Sequence, residues 1–149
     1  MTTSSTDRSG SWSTQYFSVA TMTPIWIFPA YPLLIIGPHA GNLSERIQSP
    51  IKALQIIIGG FTVQGTGFLV SLTIYAAFVY RLMTQKLPRE PIRPGMFVSV
   101  GPSAFTVSGV IGMASSAKKA IPEDYMGNGE LTAQIVTVVA NWMALWLWG

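Results

Sequence analysis

The feature that most constrains this chain is the length of its segments without a formal charge. There are four of them: 36 residues between Arg8 and Glu45, 28 between Lys52 and Arg81, 24 between Arg93 and Lys118, and 19 after Glu130. A helix needs about 20 residues, each rising about 1.5 Å, to cross a hydrocarbon core about 30 Å thick. In hydrocarbon the backbone must satisfy its own hydrogen bonds, and the alternating pattern of a membrane β-barrel is absent. The sequence therefore predicts an all-α membrane protein, with a transmembrane domain over 21–149 and four transmembrane helices at about 24–43, 54–80, 95–117 and 131–149.

Composition supports this interpretation and excludes most classes of enzyme. Charged residues make up 10% of the chain, against about 25% in a soluble domain, and 49% of residues are hydrophobic. With no Cys, one His and six carboxylates, the chain has few groups for thiol chemistry, a histidine triad or a metal cluster. Its nine basic residues are scattered and form no patch for nucleic acid. We therefore expect no enzyme, no metal, no cofactor and no nucleic-acid partner.

The distribution of charge also predicts an orientation. Residues 1–20 are rich in Ser and Thr and lack the pattern of a signal peptide, so we expect a disordered cytosolic tail. The loop from Arg81 to Gly95 carries four basic residues, more than any other loop, and the positive-inside rule places it in the cytoplasm. Both termini are then cytosolic. Over the whole chain, five basic residues would lie on the cytoplasmic side of the membrane and four on the other side, so this topology depends on the one loop.

Prolines are concentrated in the first and third spans. Pro24, Pro29, Pro32 and Pro38 lie in or beside the first span, and Pro102 follows Gly101 in the third. An interior proline lacks an N–H and its ring pushes against the preceding turn, so we predict that both helices are kinked. The freed carbonyls need water or neighbouring helices, which favours a position around a cavity. The alternative is that proline is simply more frequent in membrane helices than in soluble ones.

Other polar or small residues in the spans are explained by helix packing. This applies to the glycines and polar side chains of the second span and to the small-residue stripe that runs from Ala104 to Ser116 in the third. No acidic or basic side chain lies inside a span, apart from the span ends. His39 is expected to be an interfacial residue rather than a proton carrier. Any transport would therefore use helix dipoles, backbone amides, and aromatic or hydroxyl side chains.

Two strings carry a more specific signal than hydropathy. They are TPIWIFPAYPLLIIGPHAGNL, from Thr23, and PGMFVSVGPSAFTVSGVIGMA, from Pro94. With these strings the chain resembles the tellurite-resistance/dicarboxylate transporter family, from about Met22 to its end. That family includes fungal malic acid permeases, the fungal sulfite efflux pump and the plant slow anion channels. The resemblance implies transport of small anions across the plasma membrane, malate-like dicarboxylates first and sulfite second, by a homotrimer.

The same resemblance implies a place for each span. Family members have ten helices, with the odd-numbered ones in an inner ring around the pore, and the spans here resemble helices five to eight. The first and third spans, which carry the prolines, would then be inner helices. The candidate pore-lining residues are Phe28, Pro29, Pro32, Phe97, Pro102 and Phe105. None of them matches by motif the phenylalanine on the ninth helix that occludes the family's pore.

The departure from the family is that six of its ten helices are absent. Two of five inner helices cannot enclose a pore, so we expect this chain to be a fragment of a longer transporter. The alternative is a truncated four-span membrane protein with a structural or interaction role and no transport of its own.

Overall fold

The computed structural model describes residues 22–85 and 90–148, and within these ranges the chain is almost entirely helical, without a β-strand. Four α-helices follow one another: α1 at Tyr31–Arg46, α2 at Pro50–Thr84, α3 at Val100–Ala120 and α4 at Gly129–Trp148. Three 3₁₀ helices accompany them, at Pro24–Ala30, Glu90–Ser99 and Tyr125–Gly127. The all-α prediction is confirmed. The predicted tail over 1–20, and Lys86 and Arg89 of the basic loop, lie outside the described residues.

Among the described residues, three helical stretches are long and apolar enough to cross a membrane: Pro50–Thr84, Arg93–Ala120 and Gly129–Trp148. The first predicted span differs, because it is divided into the Pro24–Ala30 3₁₀ helix and the 16-residue α1. The reason is the loss of α-helical donors at Pro29 and Pro32, which shifts the backbone before α1 to 3₁₀ geometry. By itself α1 reaches only about 24 Å, whereas the 3₁₀ helix and α1 together run continuously from Pro24 to Arg46.

The arrangement of the helices centres on α3. This helix contacts each of the other three α-helices, and α1 lies against both α2 and α3. The backbones of α1 and α3 approach closely at Gly41, where a Cβ atom would collide with the backbone at Gly112. Beside this contact the Ser116 hydroxyl donates to the Gly41 carbonyl at 3.3 Å. Ser116 thus serves the packing predicted for the small-residue stripe. A Cβ atom at Gly112 would meet no neighbour, and Ser108 on the same stripe is exposed.

One face of α2 is buried at helical spacing and carries unusually polar side chains. Its fully or largely buried members are Ala53, Gly60, Gln64, Gly67, Ser71, Phe78 and Arg81. Arg81 lies in the last turn of α2 and donates to the carbonyl of Met22. It is therefore part of a transmembrane helix and not of the loop in which the sequence analysis placed it. A long arginine side chain at a helix end can extend its charge toward the interface while its stem stays buried.

The outer surface of the bundle is apolar. On α4 the exposed fractions of Trp142, Trp146 and Trp148 are 69%, 77% and 75%. The face of α4 that meets α3 is narrow and made of small residues such as Ala133, Ala140 and Ala144. So much exposed apolar surface is unfavourable in water and is the normal state of a helix in lipid.

Candidate functional site

Both proline-rich segments change helix type beside their prolines. The Pro24–Ala30 3₁₀ helix continues without a break into α1 at Tyr31, and the Glu90–Ser99 3₁₀ helix continues into α3 at Val100. Pro29 lies inside the first 3₁₀ helix, Pro32 in the first turn of α1, and Pro102 is the third residue of α3. The interruption predicted from these prolines takes this form, a transition from 3₁₀ to α geometry in each of the two helices.

Pro102 and Pro32 each leave a carbonyl group without an α-helical donor, and Tyr31 satisfies both of these carbonyls. Pro102 has no N–H to offer the carbonyl of Val98, four residues earlier, and the Tyr31 hydroxyl donates to that oxygen at 3.0 Å. Pro32 likewise leaves the carbonyl of Phe28 without an α-helical donor, and this carbonyl accepts a hydrogen bond from the backbone N–H of Tyr31. The two donors of one residue thus replace the two hydrogen bonds that the prolines remove.

The ring of Tyr31 lies between two of the predicted site residues. It packs edge-to-face on Phe28, with ring centroids 5.5 Å apart and an interplanar angle of 87°. It packs in the same way on Phe105, at 5.7 Å and 78°. This is a favoured arrangement of aromatic pairs. Phe28, Tyr31 and Phe105 therefore form an aromatic row that joins the first 3₁₀ helix, α1 and α3.

Two glycine positions on α3 make room for this row. A Cβ atom at Gly101 would collide with the Tyr31 hydroxyl, so the position next to Pro102 must be free of a side chain. One turn past Phe105, a Cβ atom at Gly109 would collide with the amide group of Gln64. A residue larger than glycine at either position would therefore displace the Tyr31 ring or the Gln64 amide.

Gln64 is the contribution of α2 to the site. Its side chain is only 1% exposed, and its Nε2 donates to the carbonyl of Phe105 at 2.8 Å. The amide occupies the space left by Gly37 on α1 and Gly109 on α3. Its Oε1 has no hydrogen-bond partner among the described residues. An amide held between three helices fixes the backbone position from which the Phe105 ring projects.

The predicted site residues are only partly brought together. Phe28 is 49% exposed and belongs to the aromatic row, as does the half-buried Phe105. Pro29 and Pro32 are exposed beside that row, and Phe97 is 80% exposed on the second 3₁₀ helix. Pro102 differs from these, because it is buried between the helices. That these six residues line a pore stays a prediction.

Two residues of the site were missed by sequence reasoning. Tyr31 stands between Pro29 and Pro32, and it is the one hydroxyl-bearing residue of the Pro24–Pro38 stretch, which was the available signal. Gln64 was attributed to packing along with the other polar residues of α2. No local pattern distinguishes it, because the glycines that accommodate its amide lie on two other helices.

The site is uncharged. Among the described residues the ionisable groups of Asp, Glu, Lys and Arg lie at helix ends or in loops, and none contacts the aromatic row. No group of three or more His, Asp or Glu residues within 22–85 and 90–148 is placed to hold a metal ion. The polar groups that remain are a hydroxyl, an amide and backbone carbonyls.

Comparison with known proteins gives a consistent result. The voltage-dependent anion channel (SLAC1) family matches residues 8–149. A malic acid transport protein of Schizosaccharomyces pombe is 34% identical over 133 residues, which are 89% of this chain and 30% of that protein. A second protein of the same yeast, described as a putative malic acid transport protein, is 32% identical over 133 residues, with the same coverage. No solved structure matches the chain.

These matches extend over nearly the whole chain, although the chain spans only about 30% of the length of the two yeast relatives. They agree with the transporter resemblance of the two proline-containing strings, and the family is one of channels rather than enzymes. The chain belongs to the voltage-dependent anion channel family.

Proposed function

We propose that this chain forms part of a membrane channel or transporter for small anions, with malate-like dicarboxylates as first candidates and sulfite as second. The two yeast relatives, named for malic acid transport, support the choice of substrate. In this proposal α1 and α3, with the 3₁₀ helices that precede them, line the anion route. The complete pore is built by a longer protein, since two such helices cannot enclose it.

The observation that carries the proposal is the double role of Tyr31. Free carbonyl oxygens beside a pore would repel an anion, and those that Pro32 and Pro102 create are both occupied by donors of Tyr31. Ring edges are the positive side of the aromatic quadrupole, so in this proposal the edges of the row are the groups that attract an anion. An anion passing this wall meets weakly attractive, uncharged groups. Without a fixed cation it is not held tightly, which favours rapid passage over high affinity.

The location and assembly of the protein follow from the same proposal. The protein lies in the plasma membrane with both termini in the cytosol, and the loop between α2 and the second 3₁₀ helix faces the cytoplasm because of its basic residues. Its partners are the lipid bilayer and small organic or inorganic anions. A homotrimer is the assembly implied by the family resemblance.

A chimera tests the proposal. The segment of the Schizosaccharomyces pombe malic acid transport protein that matches this chain is replaced by the chain itself, and uptake of labelled malate and sulfite is measured in reconstituted vesicles. We expect saturable malate uptake by the chimera and none by the 149-residue chain alone. A chimera that inserts and folds but carries neither anion would contradict the proposal and favour the structural, non-transporting alternative.

A further inference from the structure

An apolar groove of about 490 Å³ runs along α3 between α2 and α4. Its walls are almost wholly aliphatic and aromatic, and include Ile58, Phe61, Val110, Ala117, Ile135 and Val139. It lies apart from the aromatic row. The row is near the starts of α1 and α3, whereas the groove follows the second half of α3. Because the chain is a membrane protein, such a groove is filled by lipid or by protein.

The length of the groove indicates which of the two fills it. Its α3 wall runs from Val110 to Ile121 and its α4 wall from Thr132 to Met143. Each wall therefore covers about 16 Å at 1.5 Å per residue, which is half of a hydrocarbon core about 30 Å thick. A transmembrane helix would need a groove through both leaflets. A groove one leaflet deep, which extends to Tyr125 and Met126 in the turn between α3 and α4, has the dimensions of a lipid acyl chain.

At Ile121, next to the turn between α3 and α4, the groove adjoins a second cavity of different chemistry. This cavity has a volume of about 480 Å³, shares Ile121 with the groove, and is lined by Lys118, Glu123 and Glu130. None of these three side chains forms an ion pair among the described residues. The adjacent Lys119 is held elsewhere, because its ammonium group donates to the carbonyl of Glu45 at 2.7 Å.

One cation and two carboxylates beside an acyl-sized groove match a particular headgroup. A phosphate is attracted by Lys118, and an ammonium group is attracted by Glu123 and Glu130. An anionic lipid without an ammonium group, such as phosphatidylglycerol, would bring no cation to the two carboxylates and would be repelled by them. We propose that the groove and the adjoining cavity bind one zwitterionic phospholipid of the leaflet next to the α3–α4 turn, with an acyl chain in the groove and the headgroup at Lys118.

Native mass spectrometry of the purified chain tests this proposal. The chain is reconstituted with equal amounts of phosphatidylethanolamine and phosphatidylglycerol, and then transferred to mild detergent. We expect one retained phosphatidylethanolamine per chain. Ile58→Trp, which fills the groove, should reduce the retained lipid about tenfold, because each buried methylene group that is lost weakens binding several-fold. Leu69→Trp is the matched control, since Leu69 is an exposed α2 residue that does not line the groove.

A separate variant tests binding of the headgroup. Lys118→Ala should reduce retention of phosphatidylethanolamine, whereas Lys52→Ala, at an exposed lysine on the same end of the bundle, should not. Retention of phosphatidylglycerol in preference, or equal retention by wild type and Ile58→Trp, would overturn the proposal. A photoreactive amino acid in place of Ile58 identifies what fills the groove in cell membranes. Cross-linking to lipid supports the site, and cross-linking to a protein segment overturns it.

Discussion

At the scale of single residues, the site depends on how one tyrosine satisfies the backbone on two helices. The hydroxyl of Tyr31 reaches the Val98 carbonyl across 67 residues of sequence, and its own N–H serves the Phe28 carbonyl. A buried carbonyl without a donor costs about 1–3 kcal/mol, whereas hydrogen bonds between membrane helices average about 0.6 kcal/mol because the unfolded chain in the membrane also finds partners. Loss of the Tyr31 hydroxyl should therefore cost an amount between these limits.

Tyr31→Phe tests that estimate, because it removes the hydroxyl and keeps both ring contacts. We expect the free energy of unfolding to fall by about 1 kcal/mol, measured by titration of the detergent-solubilised chain with sodium dodecyl sulfate. In the malate-transporting chimera the same change should slow uptake, since the Val98 carbonyl is then free to repel the anion. The control is Tyr80→Phe, at a tyrosine that is 63% exposed. Equal effects of the two changes would show that the Tyr31–Val98 hydrogen bond has no special role.

At the scale of helices and loops, the prolines determine where 3₁₀ geometry gives way to α geometry. The arrangement recurs in both segments: a 3₁₀ helix containing Pro29 or Pro94 precedes an α-helix whose first turn contains Pro32 or Pro102. A proline so early in an α-helix is well tolerated. Because the helix type changes without a break, neither segment offers the free N-terminal amides of a half-helix. In the anion route proposed above, selectivity would therefore come from side chains such as those of the aromatic row.

A double-mutant cycle tests the link between Pro102 and Tyr31. In Pro102→Ala the new N–H can donate to the Val98 carbonyl, so the tyrosine hydroxyl is no longer needed there. We expect Tyr31→Phe to cost about 1 kcal/mol in the wild-type chain and close to nothing in the Pro102→Ala background. In the chimera, Pro102→Ala alone should change the rate or selectivity of transport while expression stays near normal.

The control for this cycle is Pro50→Ala, at an exposed proline in the first turn of α2. It should leave the cost of Tyr31→Phe unchanged. If that cost is the same in all three backgrounds, Pro102 does not create the need for the tyrosine hydroxyl.

The residues that sequence reasoning located are those whose chemistry acts locally. The absence of an N–H at Pro29, Pro32 and Pro102 disturbs the helix at a fixed offset, so the position of each interruption was predictable. The partner of Tyr31 was not, because it lies on a different helix and depends on how α1 and α3 pack at Gly101. The role of Gln64 depends in the same way on gaps in two other helices.

The ends of the spans were predicted less well, for a related reason. A charge marks the end of a span only if its side chain must leave the bilayer at that point. The long side chain of Arg81 lets α2 continue to Thr84, and Pro50 starts the helix before Lys52. The ring contacts that Phe28 and Phe105 each make with Tyr31 were likewise not predictable from the sequence, although both phenylalanines were among the predicted site residues.

At the scale of the whole molecule, the helix ends divide into two groups. A connection of three residues joins the end of α1 to the start of α2, so these ends share one surface of the membrane. The hydrogen bond from Lys119 to the Glu45 carbonyl brings the end of α3 to the same surface, and the start of α4 follows. The two proline-containing helices, α1 and α3, therefore run in the same direction. The basic loop after α2 lies at the opposite surface.

This division makes the predicted topology testable at three sites. The chain has no cysteine, so single cysteines can be introduced without a background signal. Gln48→Cys and Asp124→Cys should react with an impermeant thiol reagent added to intact cells, and Gln85→Cys should react only after permeabilisation. All three positions are exposed in the structure.

Asp124 is a better position in this turn than Asn128. The side chain of Asn128 accepts a hydrogen bond from the backbone N–H of Leu131 at the start of α4, and its loss would disturb that helix. The physical reason for the expected pattern is the positive charge of Arg81 near the end of α2 and of Lys86, Arg89 and Arg93 after it, which retains this end of α2 in the cytoplasm. The reverse pattern would place α1 and α3 in the opposite direction across the membrane, and a mixed pattern at Gln48 and Asp124 would contradict the shared surface of α1 and α3 as well.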